Sequence, residues 1–327
     1  MTPKISVITT VYNCANYIKQ SIESILNQTF KDFEYIIVND GSTDATSVLI
    51  KEFASKDNRI ILIDNKTNLG RVNSLNTALE KTRGQYVALQ DADDISLPDR
   101  LEKQFSFLST NPDYVLVGSN IIVMDEFENY ISEPERPEDD LEAKFSLIFR
   151  CTFANPSIMY RKKVIEENKI KYEENFIHAE DYRIITMISH YGKVYNLKHP
   201  LVKYRKHGHN NSTVNFDILN SGSITIVREN LAQLGININN AQVHRIRNLF
   251  SSRGINRKFL YNDVRIIFNT IKKFQKQNNF ARNDEIVKTL KRMIKWLGRK
   301  NIFKPNYLAL YLSILYYYKK ELLFRRN

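Results

Sequence analysis

The chain has 327 residues, 43% hydrophobic and 26% charged, a globular composition with room for one large or two medium domains. Gly and Pro together number only 18, and neither a long repeat nor a sustained heptad is present, which excludes intrinsic disorder, collagen, solenoid and coiled-coil architectures. The charge is lopsided: residues 216–327 hold 22 Lys and Arg against 6 Asp and Glu, a net of +16, whereas residues 1–215 hold 26 against 30, a net of −4.

Cys14 and Cys151 make neither a disulfide framework nor a CxxC metal pair, so a reducing compartment is expected, with the cytoplasm as the natural setting. The opening run MTPKISVITTVYN is apolar over a strand's length only, with no small-residue cleavage pattern after it, and is expected to belong to the fold. Tyr307 to Tyr318, the most apolar later stretch, falls short of the ~20 residues a bilayer-spanning helix needs.

In chain order, Lys4–Thr10 reads as a strand, followed by a helix with Ile18, Ile22, Ile25 and Leu26 on one face. Glu34–Asn39 is a second strand, followed by a helix that Ser42 can cap, with Val48, Leu49 and Phe53 turned inward. Ile60–Asp64 leads to a helix marked by Val72, Leu75 and Leu79. Tyr86–Gln90 leads through Ser96-Leu97-Pro98-Asp99 to one marked by Leu101, Phe105 and Leu108. Four βα units in this span predict an α/β fold with a mostly parallel sheet flanked by helices, whose ligands bind beyond the carboxyl ends of the strands. An acidic, Pro-containing loop at 125–140 precedes alternating strand-like and helical pieces up to about Ser212, after which the pattern is helical and basic. The division that follows is an α/β half at 1–110, a second half of the same domain at 111–215, and a basic helical region at 216–327.

The acidic turn Asp91-Ala92-Asp93-Asp94 stands where the apolar strand emerges. Two carboxylates two residues apart offer hard oxygen ligands to Mg²⁺ or Mn²⁺ with positions left for a diphosphate, although Asp is equally a turn former. Asp40, before Gly41-Ser42, is either an Asx-turn acceptor or a carboxylate for a base or ribose, and Tyr12 either packs or stacks on a base. Arg71, after Asn68-Leu69-Gly70, is a solvated cation or a neighbour of the same sheet edge. Glu180 and Asp181 open a helix marked by Ile184, Ile185 and Ile188, where the helix dipole favours acids and where a general base can stand. The loop from Tyr204 to Ser212 gathers Arg205, His207 and His209 around Gly208, either as a solvated basic loop or as a cradle for an anionic leaving group. No P-loop, GxGxxG, HExxH, GxSxG or zinc-spaced cysteine pattern is present, which removes the main supports for ATPase, dinucleotide-dependent and zinc-hydrolase functions.

Four segments in this order and spacing, ISVITTVYNCANYIKQSIESILNQTF, YIIVNDGSTDAT, NLGRVNSLNTALEKTRGQYVALQDADD and HAEDYRI, resemble the inverting nucleotide-sugar glycosyltransferases of family 2, which have the GT-A fold. The resemblance covers roughly Pro3 to Ser212. It implies that Thr9, Thr10, Tyr12 and Asp40 hold the base and ribose, with Arg71 close to the base and Asp91 on the ribose or sugar. Asp93, the last acid of the DxD-type motif, is then the ligand of a Mn²⁺ or Mg²⁺ ion that bridges the diphosphate. Asp181 is the implied catalytic base and Glu180 its supporting neighbour. His207 or His209 is implied at the diphosphate or metal, and Arg205 is grouped with them on the donor. The expected reaction is transfer of a sugar from a nucleotide sugar, with UDP as the expected nucleotide, to a glycan or lipid-linked acceptor in surface polysaccharide or glycoconjugate assembly.

The resemblance stops before the basic region. There Lys272-Lys273, Lys291-Arg292, Arg299-Lys300, Lys319-Lys320 and Arg325-Arg326 interleave with Phe274, Trp296, Phe303, Tyr307, Tyr311 and Tyr316 to Tyr318. This composition suits peripheral binding to an anionic membrane surface on the cytoplasmic side, and equally a packed helical subdomain with a solvated face. The alternative function, a nucleic-acid-binding protein with a nucleotide-binding α/β domain and a basic tail, is disfavoured because the clustered carboxylates repel a phosphate backbone.

Overall fold

β1 (Ile5–Val11) and β2 (Phe33–Asn39) are buried along almost their whole length, as strands must be when helices cover both faces of a parallel sheet. The computed structural model describes residues 2–208, 216–250, 261–279, 284–298 and 305–323. These form two compact units, residues 1–139 with 152–222 and residues 140–151 with 223–327.

In the first unit, α1 (Ile18–Leu26), α2 (Thr46–Lys56), β3 (Ile60–Asp64), α3 (Arg71–Lys81) and β4 (Tyr86–Leu89) complete the βα units. β5 (Ile95–Ser96), α4 (Arg100–Thr110), β6 (Tyr114–Asp125) and β7 (Tyr130–Ser132) follow, and α5 (Asp140–Leu147) belongs to the second unit. β8 (Met159–Arg161), α6 (Lys162–Glu167), α7 (Glu180–Ser189) and β9 (Lys193–Lys206) return to the first.

The sheet order is β3-β2-β1-β4-β8-β6-β9-β5, with β7 added on β6. β1 pairs in parallel with β2 on one side and β4 on the other, so successive strands leave β1 in opposite directions and a crevice opens at their carboxyl ends. The parallel arrangement expected from the sequence holds for β1 to β4. Beyond β4 the sheet is mixed: β8 is antiparallel to both β4 and β6, whereas β6 and β9 run parallel over 12 and 14 residues with two register shifts.

Ile18, Ile22 and Ile25 on α1, Val72 and Leu75 on α3, and Leu101 and Leu108 on α4 are all buried, as their spacing requires. Val48 departs from expectation: it is 69% exposed, and Ile50 takes the inward position on α2. Ser42 does not cap α2 either. Its hydroxyl accepts from the Asn13 N–H at 3.0 Å, and Asp44 Oδ1 accepts from the Thr46 N–H at 3.0 Å instead.

The second unit is helical. Phe145 packs edge-on against Phe149 and Phe274, and Arg245 makes a two-pronged pair with the buried Asp263 at 2.7 and 3.0 Å. On the helix Pro305–Leu323, Leu310 and Ile314 are buried. The boundary between units falls at Gly222, inside the helix Phe216–Gln233 rather than before it. Arg299, Lys300, Phe303, Arg325 and Arg326 lie outside the described residues.

Gly41 follows β2 at φ +71°, and a Cβ there would sit 2.4 Å from the Thr67 carbonyl carbon. Gly41→Ala is therefore expected to destabilise the protein by ~1–3 kcal/mol through backbone strain and displacement of the facing loop. Urea denaturation measures it, and an unchanged midpoint would refute the close approach.

Candidate active site

The crevice is built from the turn after β4. Asp91 Oδ1 accepts from Arg71 Nη2 and from Asn155 Nδ2, each at 2.8 Å, which ties the turn to α3 and to the loop before β8. Asp93 Oδ2 lies 2.9 Å from His207 Nε2, and the His207 ring stacks on Tyr17 with centroids 4.9 Å apart. Asp94 turns inward and is fully buried, with Oδ1 accepting from the Arg205 N–H at 2.7 Å. Burial first, then the charges of Asp93 and Asp91, hold the Asp94 carboxyl well above the usual carboxylate range.

β5 and β9 clamp this turn, Ile95 pairing with Lys203 and Ser96 with Val202. The Gln90 amide donates to the carbonyls of Asp91 and Asp94 at 3.0 and 2.8 Å, and its oxygen accepts from the buried Arg100 at 3.0 Å. Neither residue stood out in the sequence, because a Gln in a strand and an Arg at a helix start look like solvated groups there.

The first turn of α7 closes the other side. Glu180, with a side chain 7% exposed, pairs through Oε1 with Arg71 Nε at 2.8 Å. Asp181 receives the Tyr182 N–H on Oδ1 at 2.6 Å. Burial, and next the neighbouring Glu180 charge, push its carboxyl up to about 7. Arg71, Asp91, Asp93, Glu180 and Asp181 thus line one cavity of about 410 Å³, together with His178, Asn155, Arg136 and an apolar wall that includes Phe153, Pro156 and Tyr204. Asn155 and Arg136 were not anticipated, since nothing in the local sequence marks them, and His178 opens the HAEDYRI segment without a role of its own assigned to it.

Other expected residues are placed differently. Thr9 is fully buried, its hydroxyl within 2.9 Å of both the Tyr35 hydroxyl and the Gln90 carbonyl, so its side chain fastens strands rather than facing a ligand. Thr10 is half-buried and Tyr12 is 49% exposed near the end of β1. Asp40 is 3% exposed, and its carboxylate accepts from Asn65 Nδ2 and from the Leu69 and Gly70 N–H groups at 3.1, 2.9 and 2.9 Å. It therefore shapes the loop that leads into Arg71.

Arg205 is 1% exposed. Its guanidinium donates to the Asp93 carbonyl at 3.0 Å and to Gln20 Oε1 at 2.7 Å, and it lies over the Tyr17 ring. It supports the acidic turn from behind instead of reaching into the cavity as a donor-binding cation. His209 lies outside the described residues. Cys14 is half-buried behind the turn, and burial followed by the charge of Asp93 pushes its thiol up to about 12.

Among the described residues no three His, Cys, Asp or Glu side chains converge as a closed metal cage. Asp93, on the cavity wall, and His207 beside it offer one hard oxygen and one imidazole nitrogen, a donor set that suits a divalent cation sharing its shell with phosphate and water.

The model for glycosyl transferase family 2 matches residues 6–168. An uncharacterized glycosyltransferase of Haemophilus influenzae is 34% identical over 274 residues, 79% of this chain and 85% of that protein. One from Methanocaldococcus jannaschii is 42% identical over 62% of this chain and 71% of its own length. The O-antigen biosynthesis glycosyltransferase WbnJ of Escherichia coli is 35% identical over 62% and 80%. Among solved structures, S. aureus TarS 1–349 in complex with UDP-GlcNAc superposes with a TM-score of 0.61 at 18% identity, covering 97% of this chain and 92% of that one. The mannosyltransferase PcManGT from Pyrobaculum calidifontis, in complex with GDP-Man and Mn²⁺, gives 0.54 at 15% identity, covering 100% and 89%. The fold is that of the GT-A glycosyltransferases. The chain belongs to glycosyl transferase family 2.

The raised Asp181 carboxyl has a consequence for stability. The folded state holds its proton up to about pH 7, whereas an unfolded chain releases it near the ordinary ~4, so stability falls as pH rises through that window and the cost is complete above it. Asp181→Asn removes the ionisation while keeping an oxygen for the Tyr182 N–H. It is expected to raise Tm at pH 8 by more than at pH 4.5, and an equal shift at both would show that Asp181 is not the group that titrates.

Proposed function

We propose that this chain transfers a sugar, with inversion, from a nucleotide sugar to a hydroxyl of a glycan or lipid-linked acceptor during surface polysaccharide or glycoconjugate assembly. The observation that carries the reading is the sharing of one cavity by Asp91 and Asp93 on one wall and Asp181 on the other. Asp181, with its carboxyl near neutrality, is matched to take the acceptor hydroxyl's proton at ordinary pH.

The hydroxyl oxygen attacks the anomeric carbon from the face opposite the diphosphate. The new glycosidic bond forms as the bond to the leaving phosphate oxygen breaks, and that oxygen keeps the electron pair. The proton passes to Asp181, and a single displacement inverts the configuration. Arg71, paired with both Asp91 and Glu180, keeps the donor-side and base-side carboxylates in register. Asp93, with His207 beside it, would hold Mn²⁺ or Mg²⁺, which would supply positive charge where the diphosphate departs. UDP is the nucleotide favoured by the likeness to TarS in complex with UDP-GlcNAc, and the likeness to WbnJ supports a surface-glycan product.

The base and metal roles are separable. Asp181→Asn is expected to keep nucleoside diphosphate binding by calorimetry while lowering transfer ~10²-fold or more, and wild-type kcat/KM is expected to rise with pH until about 7. Asp93→Ala is expected to abolish metal-dependent turnover across a nucleotide-sugar panel assayed with and without Mn²⁺. Near wild-type rates in a folded variant would remove that residue from its role.

We also assign residues 216–327 to an anionic membrane surface, on the cytoplasmic side. Leu308, Leu312 and Tyr316 are exposed at four-residue spacing on the helix Pro305–Leu323, Lys319 is exposed beyond them, and the region carries a net charge of +16. No helix among the described residues is long and apolar enough to cross a membrane. Co-sedimentation with anionic vesicles is expected at ~0.1 M salt and is expected to weaken at ~1 M, where the Debye length shrinks from ~10 to ~3 Å. Equal, poor binding to anionic and neutral vesicles would make this region an ordinary packed subdomain.

A further inference from the structure

Asp91 receives both of its side-chain hydrogen bonds on one oxygen. Arg71 Nη2 and Asn155 Nδ2 each donate to Oδ1 at 2.8 Å, and Oδ2 has no partner among the described residues. Asn155 uses its amide N–H on this bond, and its side-chain oxygen has no partner among them either. Both free oxygens keep accessible surface, and both residues line the cavity. Charge fixes which way the amide points: turned over, its carbonyl would face the Asp91 carboxylate across 2.8 Å.

The segment that carries Asn155 is held firmly from below. Asn155 opens a short turn through Ser157, and the Ser157 carbonyl accepts from Gln104 Nε2 at 2.7 Å. The next carbonyl, that of Ile158, accepts from the Leu89 N–H at 3.1 Å and from Arg100 Nη2 at 3.3 Å. Gln104 and Arg100 are fully buried. A brace for Asp91 needs a donor and no more, and Arg71 already supplies one. An amide adds a second acceptor that faces outward, in place before any ligand arrives.

Two neighbouring oxygens, one charged and one neutral, define what completes them. A phosphate or carboxylate brings only acceptors and is repelled. A divalent cation there would stand beside the Arg71 guanidinium, 2.8 Å from the same carboxylate. A neutral group with O–H or N–H donors satisfies both.

We propose that Asn155 is a specificity-determining residue for the transferred sugar: together with Asp91 it accepts from two neighbouring donors on that ring, either a vicinal diol or a hydroxyl next to an acylamino N–H. The inference rests on the reading of the chain as a nucleotide-sugar transferase. In that reaction the transferred ring lies between the departing diphosphate and the attacking hydroxyl. Asp91 stands two residues from Asp93 and is joined through Arg71 to Glu180, the neighbour of Asp181, so it lies between the groups that meet those two ends.

The test is calorimetry on the full chain in the presence of Mn²⁺, with UDP, UDP-glucose, UDP-galactose and UDP-N-acetylglucosamine, and with GDP and GDP-mannose as a second set. A nucleoside diphosphate carries base, ribose and diphosphate without the sugar, which separates a contact to the transferred ring from one to the ribose. Asn155→Ala is expected to weaken at least one nucleotide sugar about five- to tenfold, the scale of one hydrogen bond, while its nucleoside diphosphate and Mn²⁺ itself stay within about twofold of wild type. Asn155→Leu, which keeps the volume and lacks both polar ends, is expected to give the same pattern and replaces the alanine variant if that one fails to fold. A loss shared by the nucleoside diphosphate or by Mn²⁺ would make Asn155 a ribose, metal or structural group and overturns the proposal, as does unchanged affinity for every nucleotide sugar that wild type binds. A wild-type chain that binds none of these nucleotides overturns the parent reading, and this one with it.

Discussion

The guanidinium of Arg71 between Asp91 and Glu180 is the interaction on which the crevice depends. Four carboxylates, Asp91, Asp93, Glu180 and Asp181, line one small cavity, and without a cation among them their mutual repulsion would drive them apart or protonate them. Burial works against the charge on Arg71, and the carboxylates of Asp91 and Glu180 outweigh it, holding its basicity above the ordinary value. A planar fork reaches two acids on different elements at once, which a lysine ammonium cannot reproduce with the same geometry. The arrangement couples the turn after β4 to the head of α7, and at Asp181 burial and the Glu180 charge outweigh the pull of the cation.

A second constraint keeps the acidic turn from unravelling. Three Asp residues within four positions cannot all face the crevice as anions, and the fold turns one of them inward. Burial favours the protonated form of Asp94, whose Oδ1 accepts from the Arg205 N–H while the Arg205 side chain grips the Asp93 carbonyl. Asp91 and Asp93 are thereby aimed outward by a scaffold of Gln90, Arg100 and Arg205, all nearly inaccessible to solvent. The cost of burying two guanidinium groups is offset by carbonyl and amide acceptors fixed in place before any ligand arrives.

The first four strands and their helices were legible because each is a local pattern: a short, nearly continuous apolar run followed by a 3.6-residue stripe. Val48 misled because it falls on the helical period while Ile50, two residues on, meets the core. The second half was less legible. β6 and β9 pair across a wide gap in sequence with shifted register, and residues 140–151 pack with helices near the other end of the chain. At the site, motif spacing pointed to Asp91, Asp93, Glu180 and Asp181, which do converge. The same spacing could not separate residues that face the cavity from Thr9, Asp40 and Arg205, whose polar groups are engaged in supporting it. Asn155 was invisible for the opposite reason, since its placement comes from tertiary contacts that no local pattern announces.

The acidity that organises the crevice also decides the fate of the thiol behind it. Burial and the neighbouring acids push the Cys14 ionisation up to about 12, which disfavours the thiolate, the form that attacks oxidants, disulfides and alkylating agents. Half-buried behind the acidic turn, Cys14 is held in its less nucleophilic thiol form. The carboxylates that shape the crevice thus also keep its neighbouring thiol protonated, so the acidity of one wall sets the reactivity of the residue behind it.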